Sequence, residues 1–119
     1  MQVDCQSYSP GFAEWQDVAG IHNGGYAAFR NTTEGRDVLD WWMARCLELC
    51  PATPTGGVYA DQTYLDHMPG QFPGVMASEH KGLNAAPWNI ENFCVTERDG
   101  QVHCEDEPLL IYHFQGMRQ

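Results

Sequence analysis

Four short stretches place polar or ligand-forming side chains where the surrounding pattern asks for apolar ones: Asn23-Gly24-Gly25, Asp61-Gln62, Asn84-Ala85-Ala86-Pro87-Trp88-Asn89 and His113-Phe114-Gln115-Gly116. Each falls at the end of an expected strand or the start of an expected helix. Strand ends of open α/β sheets are where ligands collect, so the four stretches are expected to converge on one crevice. His113 offers an imidazole nitrogen to a metal ion, Trp88 a ring for stacking, and Gly116 a backbone able to turn close to a phosphate. Each also has a structural reading. Asn23-Gly24-Gly25 makes a tight turn, Asp61 caps a helix, Trp88 after Pro87 packs as a core aromatic, and His113 is a hydrogen-bonded structural histidine.

The elements that position these residues follow from periodicity. Residues 1–19 are polar with scattered aromatics, and a short helix is expected around Phe12 to Val18. Residues 21–30, IHNGGYAAFR, read as a strand whose buried run is Tyr26 to Phe29. Asn31 followed by Glu34 three residues later is a capping-box variant. It opens an amphipathic helix with Val38, Leu39, Trp42, Met43, Cys46, Leu47 and Cys50 on its apolar face and Pro51 at its end. Arg36, Asp37, Asp40 and Glu48 form the solvated face. A second, short helix is expected from about Ala60 to Met68, stopped by Pro69-Gly70, and VMAS at 75–78 reads as a brief strand.

HKGLNAAPWN reads as irregular, and FCVTERDGQVHCE as a hairpin turning on Asp99-Gly100 with Cys94 and Cys104 on nearby rungs. The last strand, PLLIYHF, follows the acidic run Glu105-Asp106-Glu107. The outcome is an α/β or α+β fold in a single domain, residues 1–119. Two apolar strands, 26–29 and 109–112, ask for cover on both faces, which one long helix does not supply.

Composition narrows the partners. Sixteen acidic residues against six basic ones give a net charge of −10, without a basic patch, which disfavours nucleic acid and anionic lipid. The first twenty residues lack a basic and apolar leader pattern. No run approaches the about eighteen apolar residues of a membrane span, so a cytoplasmic protein is expected. Five cysteines without C-x-x-C spacing read as reduced thiols, with Cys46 and Cys50 as core contacts.

Taken in order, N-G-G-Y-x-x-F-R-N, E-G-R-x-x-L-D-W-W, A-D-Q-x-Y-L-D, F-P-G-V, N-x-A-P-W-N and I-Y-H-F-x-G resemble the C-terminal half of bacterial nucleotide-diphospho-sugar transferases of the GT-A type. The pattern is similar to family 8 glycosyltransferases and runs from about Ser9 to Arg118. The resemblance implies a partial GT-A-like mixed sheet. It places Asn23 and Gly25 at the floor of the sugar site, Asp61 and Gln62 as the catalytic pair against donor sugar or acceptor, and Asn84, Pro87 and Trp88 on the acceptor side. His113, with Phe114 and Gly116, is implied as a ligand of the divalent cation, manganese or magnesium, that holds the diphosphate.

The family's upstream nucleotide-binding half and its Asp-x-Asp motif have no counterpart here, and Glu105-Asp106-Glu107 lies on the wrong side of the pattern. The chain is therefore expected to be inactive alone. Its implied partners are a nucleotide-sugar and a glycan acceptor, with another chain supplying the N-terminal half. The alternative is a non-enzymatic binding module of the same origin, hidden by self-association into a homo-oligomer.

Overall fold

Thr32 sets where the long helix begins. Its backbone is extended (φ −120°, ψ 171°) and its hydroxyl accepts from the Gly35 N–H at 3.2 Å, satisfying one of the donors that a helix start leaves open. The helix, α1, runs Thr33–Glu48. The cap is thus Thr32 rather than Asn31, whose side-chain oxygen instead accepts from Arg36 Nε at 3.0 Å and Nη2 at 2.6 Å. Glu34 sits in the first turn, where its own backbone N–H and then the Thr32 hydroxyl hold its carboxyl below the usual carboxylate range. Leu49 closes the helix in an extended conformation, its N–H bonded to the Arg45 carbonyl, two residues before Pro51.

The computed structural model describes residues 17–114, and these form two compact units, 17–77 and 78–114. The protein is a mixed α/β structure, with one parallel and one antiparallel sheet among the described residues. Among the described residues, no helix is long and apolar enough to cross a membrane. Of the helix expected around Phe12 to Val18, Asp17 and Val18 are helical; the earlier positions lie outside the described residues.

Within 17–77, α1 packs through Val38, Trp41, Trp42, Arg45 and Cys46, spaced i, i+3, i+4, i+7, i+8. Trp41 meets Tyr64 and Phe72 edge-on, with ring centroids 6.3 and 5.5 Å away, and Trp42 stacks on Phe29 at 6.0 Å. The packed face is turned toward Trp41 relative to the expected stripe. Leu39, Met43 and Leu47 are 42%, 55% and 82% exposed, and Cys50 is exposed as well. The cause is size and polarity: two indoles bury more surface than the aliphatic row, and the Trp42 N–H finds an acceptor, the Asp61 carbonyl at 2.9 Å.

No strand forms over 21–30, and Tyr26 is half exposed. The backbone donors of Ile21 and His22 are both taken at 3.0 Å by the Asp66 carboxylate, and the Asn23 side-chain oxygen takes the Gly25 N–H at 2.9 Å, so the start of this segment has no free ladder to offer. The second helix is a 3₁₀ turn, Thr63–His67, running into α2, Met68–Gln71. Pro69 occupies the first turn of α2, where a missing N–H costs nothing, so Pro69-Gly70 belongs to the helix rather than stopping it. Residues 75–78 form no strand, and Met76 is 90% exposed.

Within 78–114 five strands form: β1 Leu83–Ala85, β2 Val95–Arg98, β3 Gln101–Cys104, β4 Glu107–Pro108 and β5 Ile111–Tyr112. A short 3₁₀ turn, Ile90–Asn92, lies between the first two. The β2–β3 hairpin turns on Asp99 and Gly100, both at positive φ (53° and 77°), as a two-residue primed turn requires. Cys94 precedes the Val95–Cys104 rung, and burial, with Glu105 and Glu107 nearby, pushes the Cys104 thiol up.

The apolar run expected as one final strand serves two sheets. Glu107–Pro108 pairs antiparallel with β3, the Leu109 N–H reaches the Val102 carbonyl, and the chain then crosses to β1, where β5 pairs in parallel. The Gly82 carbonyl accepts from both Leu110 and Ile111, at 2.8 and 3.1 Å, which also makes a strand of the segment expected to be irregular. Leu110 is 57% exposed at the crossing, so neither this run nor 26–29 is a strand needing cover on both faces.

Gly82 is what permits the crossing: a Cβ there would overlap the Pro108 carbonyl. Gly82→Ala is expected to cost on the order of 2 kcal/mol through backbone displacement. Gly70→Ala, a position with open space around it, is expected to be neutral or mildly stabilising in α2. Urea midpoints of the two variants check this.

Candidate functional site

The four polar stretches pair within the units. In 17–77, Asn23 makes its own tight turn through the Gly25 N–H, and Gly24 is thereby set against Asp61: a Cβ on Gly24 would lie 3.4 Å from a carboxylate oxygen. Asp61 follows Ala60, held in the left-handed region (φ 48°) with its N–H on the Pro51 carbonyl at 2.9 Å. For an alanine this backbone is unfavourable by about 1 kcal/mol, so the surrounding packing dictates it. The Asp61 carbonyl is fixed by Trp42, and its side chain is exposed. The residue flanking the 3₁₀ turn is Gln62, with no side-chain capping bond, so capping does not account for Asp61. Gln62 donates from its amide to the Ala19 carbonyl at 2.8 Å and thus acts first as a tie between segments.

Two residues not singled out in the sequence complete this cluster. Asp66 accepts the Ile21 N–H on one oxygen, and the His22 N–H and His22 Nδ1 on the other, the last at 2.7 Å. Their side chains are 25% and 31% exposed. A visible signal existed for both: His22 directly precedes Asn23-Gly24-Gly25, and Asp66 ends the A-D-Q-x-Y-L-D stretch.

In 78–114 the second pair meets. Asn84 takes a left-handed conformation (φ 76°), which asparagine tolerates, within β1. Asn89 folds the loop back: its side-chain oxygen accepts from Ala86 N at 2.7 Å, and its amide donates to the Asn84 carbonyl at 3.2 Å. Ala85 and Ala86 are fully buried beneath it. His113 docks on this loop through its N–H to the Ala85 carbonyl at 2.7 Å, and its ring meets Trp88 edge to face with centroids 5.1 Å apart. Trp88 is half-buried, and the partner its ring meets is the implied ligand. Gln115 and Gly116 lie outside the described residues.

The His113 Nδ1 is buried and has no hydrogen-bond partner among the described residues, which leaves one ring nitrogen unaccounted for. Imidazole ligands of metals ordinarily donate their second nitrogen to a carboxylate, carbonyl or water. The described residues bring no carboxylate to His113, and among them no three His, Cys, Asp or Glu side chains lie close enough to hold a metal ion. The acidic run is engaged elsewhere: Glu105 accepts from Cys94 N at 3.0 Å, Asp106 pairs with Arg98 at 3.1 Å, and Glu107 accepts from Lys81 N at 2.6 Å.

The chain is similar to two Bacillus subtilis (strain 168) proteins. It is 39% identical over 104 residues to Uncharacterized protein YfnF, the match covering 87% of this chain and 34% of that protein. It is 37% identical over 110 residues to Uncharacterized protein YfnD, covering 91% of this chain and 35% of that protein. The chain thus spans about a third of the length of the curated relatives it matches. No family model and no solved structure matches it.

The loop geometry has a direct test. Asn89→Ala strips the Ala86 N–H of its acceptor and is expected to cost about 1–3 kcal/mol in denaturant unfolding. Asn89→Asp, which keeps that acceptor and loses only the donor to Asn84, is expected to cost less. The Trp88 indole resonance should move in both variants.

Proposed function

We propose that the chain is the acceptor-side part of a nucleotide-sugar-dependent glycosyltransferase of the GT-A type, similar to family 8 enzymes. The observation that carries this reading is the pairing of the polar stretches: Gly24 faces Asp61, and the Asn84–Asn89 loop holds His113 against Trp88. In this reading Asn23 and Gly25 form the floor of the sugar site, and Asp61 and Gln62 contact the donor sugar or the acceptor. Asn84 and Trp88 border the acceptor, and Gly116 lets the backbone approach a phosphate. His113 supplies one nitrogen to a manganese or magnesium ion whose remaining ligands come from outside residues 17–114. When bound, such an ion takes up negative charge on the departing diphosphate. The length of the two relatives supports the reading, since about two thirds of each lies outside the matched segment and leaves room for a separate donor-binding part.

Without the companion carboxylates the chain alone binds sugar weakly and does not turn over. Incubation with uridine-diphosphate sugars and manganese should give hydrolysis no faster than buffer. Millimolar methyl glycosides should shift the Gln62 amide or the Trp88 indole signal according to the subsite filled, and the Gln62 response should be lost in Asp61→Ala. Robust turnover that disappears in His113→Ala contradicts the inactivity, and no response to any glycoside contradicts the reading as a whole.

A second reading, a self-associating binding module, is supported by the exposed row Leu39, Met43 and Leu47 on α1. Sedimentation at micromolar concentration separates the two: a dimer that Leu47→Glu dissociates supports it, and a monomer counts against it.

A further inference from the structure

The Asp66 carboxylate accepts from three nitrogens: the Ile21 N–H at 3.0 Å, the His22 N–H at 3.0 Å and His22 Nδ1 at 2.7 Å. A carboxylate only accepts, so Nδ1 carries a proton, and in the uncharged form of the ring Nε2 is the nitrogen that keeps its lone pair as an acceptor. The clasp is confined on its other side by Gly20, at positive φ (89°), where a Cβ would come within 2.6 Å of the Asp66 carboxylate. A side chain there would displace Asp66, so the backbone passes close because it has none. Two residues after His22, Gly24 leaves open the space in front of the Asp61 carboxylate, which is exposed and accepts no hydrogen bond from the described residues.

The short span 22–24 thus lies between two acceptors of different kinds, an imidazole nitrogen and a carboxylate. The chemistry they select is limited. Phosphate is repelled by Asp61 and by a chain of net charge −10. A metal ion is not held, because no group of three ligating side chains is available among the described residues. Hydroxyl groups, each with a proton to donate, match both acceptors.

We propose that His22, held in this tautomer by Asp66, binds a hydroxyl group of the same neutral sugar that Asp61 contacts. Asp66 is a positioning residue: it sets which ring nitrogen faces the ligand and touches no ligand itself. The inference rests on the sugar-binding reading above and adds to it a residue outside the stretches that carry the resemblance.

The test uses the full chain labelled with ¹⁵N and titrated with methyl glycosides of glucose, galactose and mannose. Before addition, His22 should show a protonated Nδ1 and a bare Nε2. On titration the Nε2 resonance should move saturably, and His22→Phe should weaken the apparent affinity about tenfold, the loss of one hydrogen bond. In Asp66→Asn the amide can donate to Nδ1, which shifts the proton to Nε2 and turns the acceptor into a donor. Affinity should then fall by a similar factor with the Trp88 signal of the free protein unchanged. Should that variant fail to fold, His22→Phe decides.

Glycoside-induced shifts at Asn23 and Asp61 with a stationary His22 Nε2, or undiminished affinity in His22→Phe, overturn the proposal. A response at Trp88 without one at His22 removes this inference and leaves the sugar-binding reading standing. No response to any glycoside removes both.

Discussion

One carboxylate with three nitrogen donors governs the part of this protein that carries its most concentrated chemistry. By taking the N–H groups of Ile21 and His22, Asp66 removes them from any sheet ladder, so the segment before α1 runs as a clasped loop. The same contact orients the His22 ring and presents the turn at Asn23 to Asp61. Asp66 and His22 are only partly buried, so the value of the arrangement lies in direction rather than in ion-pair energy, which solvent screens at such sites. The Trp42 N–H on the Asp61 carbonyl and the Gln62 amide on the Ala19 carbonyl hold the same neighbourhood from two further directions.

Residues 78–114 obey a different constraint, the sharing of one apolar run between two sheets. Pro108 has no N–H, the Leu109 N–H makes the last bond to β3 at the Val102 carbonyl, and the donors that follow, Leu110 and Ile111, converge on the single Gly82 carbonyl. The crossing delivers His113 to the end of β5, where its N–H reaches Ala85 and its ring reaches Trp88. A strand-end histidine held by backbone and aromatic contacts is positioned without any polar partner among the described residues at Nδ1.

Local signals were readable where a single interaction decides the structure. Asp99-Gly100 specifies its hairpin because few residue pairs accept two positive φ values, and α1 is plain in its period and its ending before Pro51. Long-range competition defeated the rest. IHNGGYAAFR has a strand-like composition, but a carboxylate more than forty residues away claims its donors. PLLIYHF is mostly apolar, yet a glycine at position 82 divides its pairing. The face of α1 was displaced because Trp41, whose partners Tyr64 and Phe72 are distant in sequence, outweighs the aliphatic row. The polar stretches were visible as residue types, and two of their contacts, Gly24 with Asp61 and the 84–89 loop with His113, are real. His22 was visible only as the neighbour of Asn23-Gly24-Gly25 and Asp66 only as the end of A-D-Q-x-Y-L-D, because a tautomer depends on geometry that no spacing encodes.

The central claim is that a sugar sits on the turn at 22–24 between His22 and Asp61. Isotope-filtered nuclear Overhauser contacts between an unlabelled methyl glycoside and the labelled chain test it most directly. The account predicts contacts from the sugar ring protons to the His22 ring and the Gly24 α-protons. Contacts confined to residues remote from this turn would contradict it.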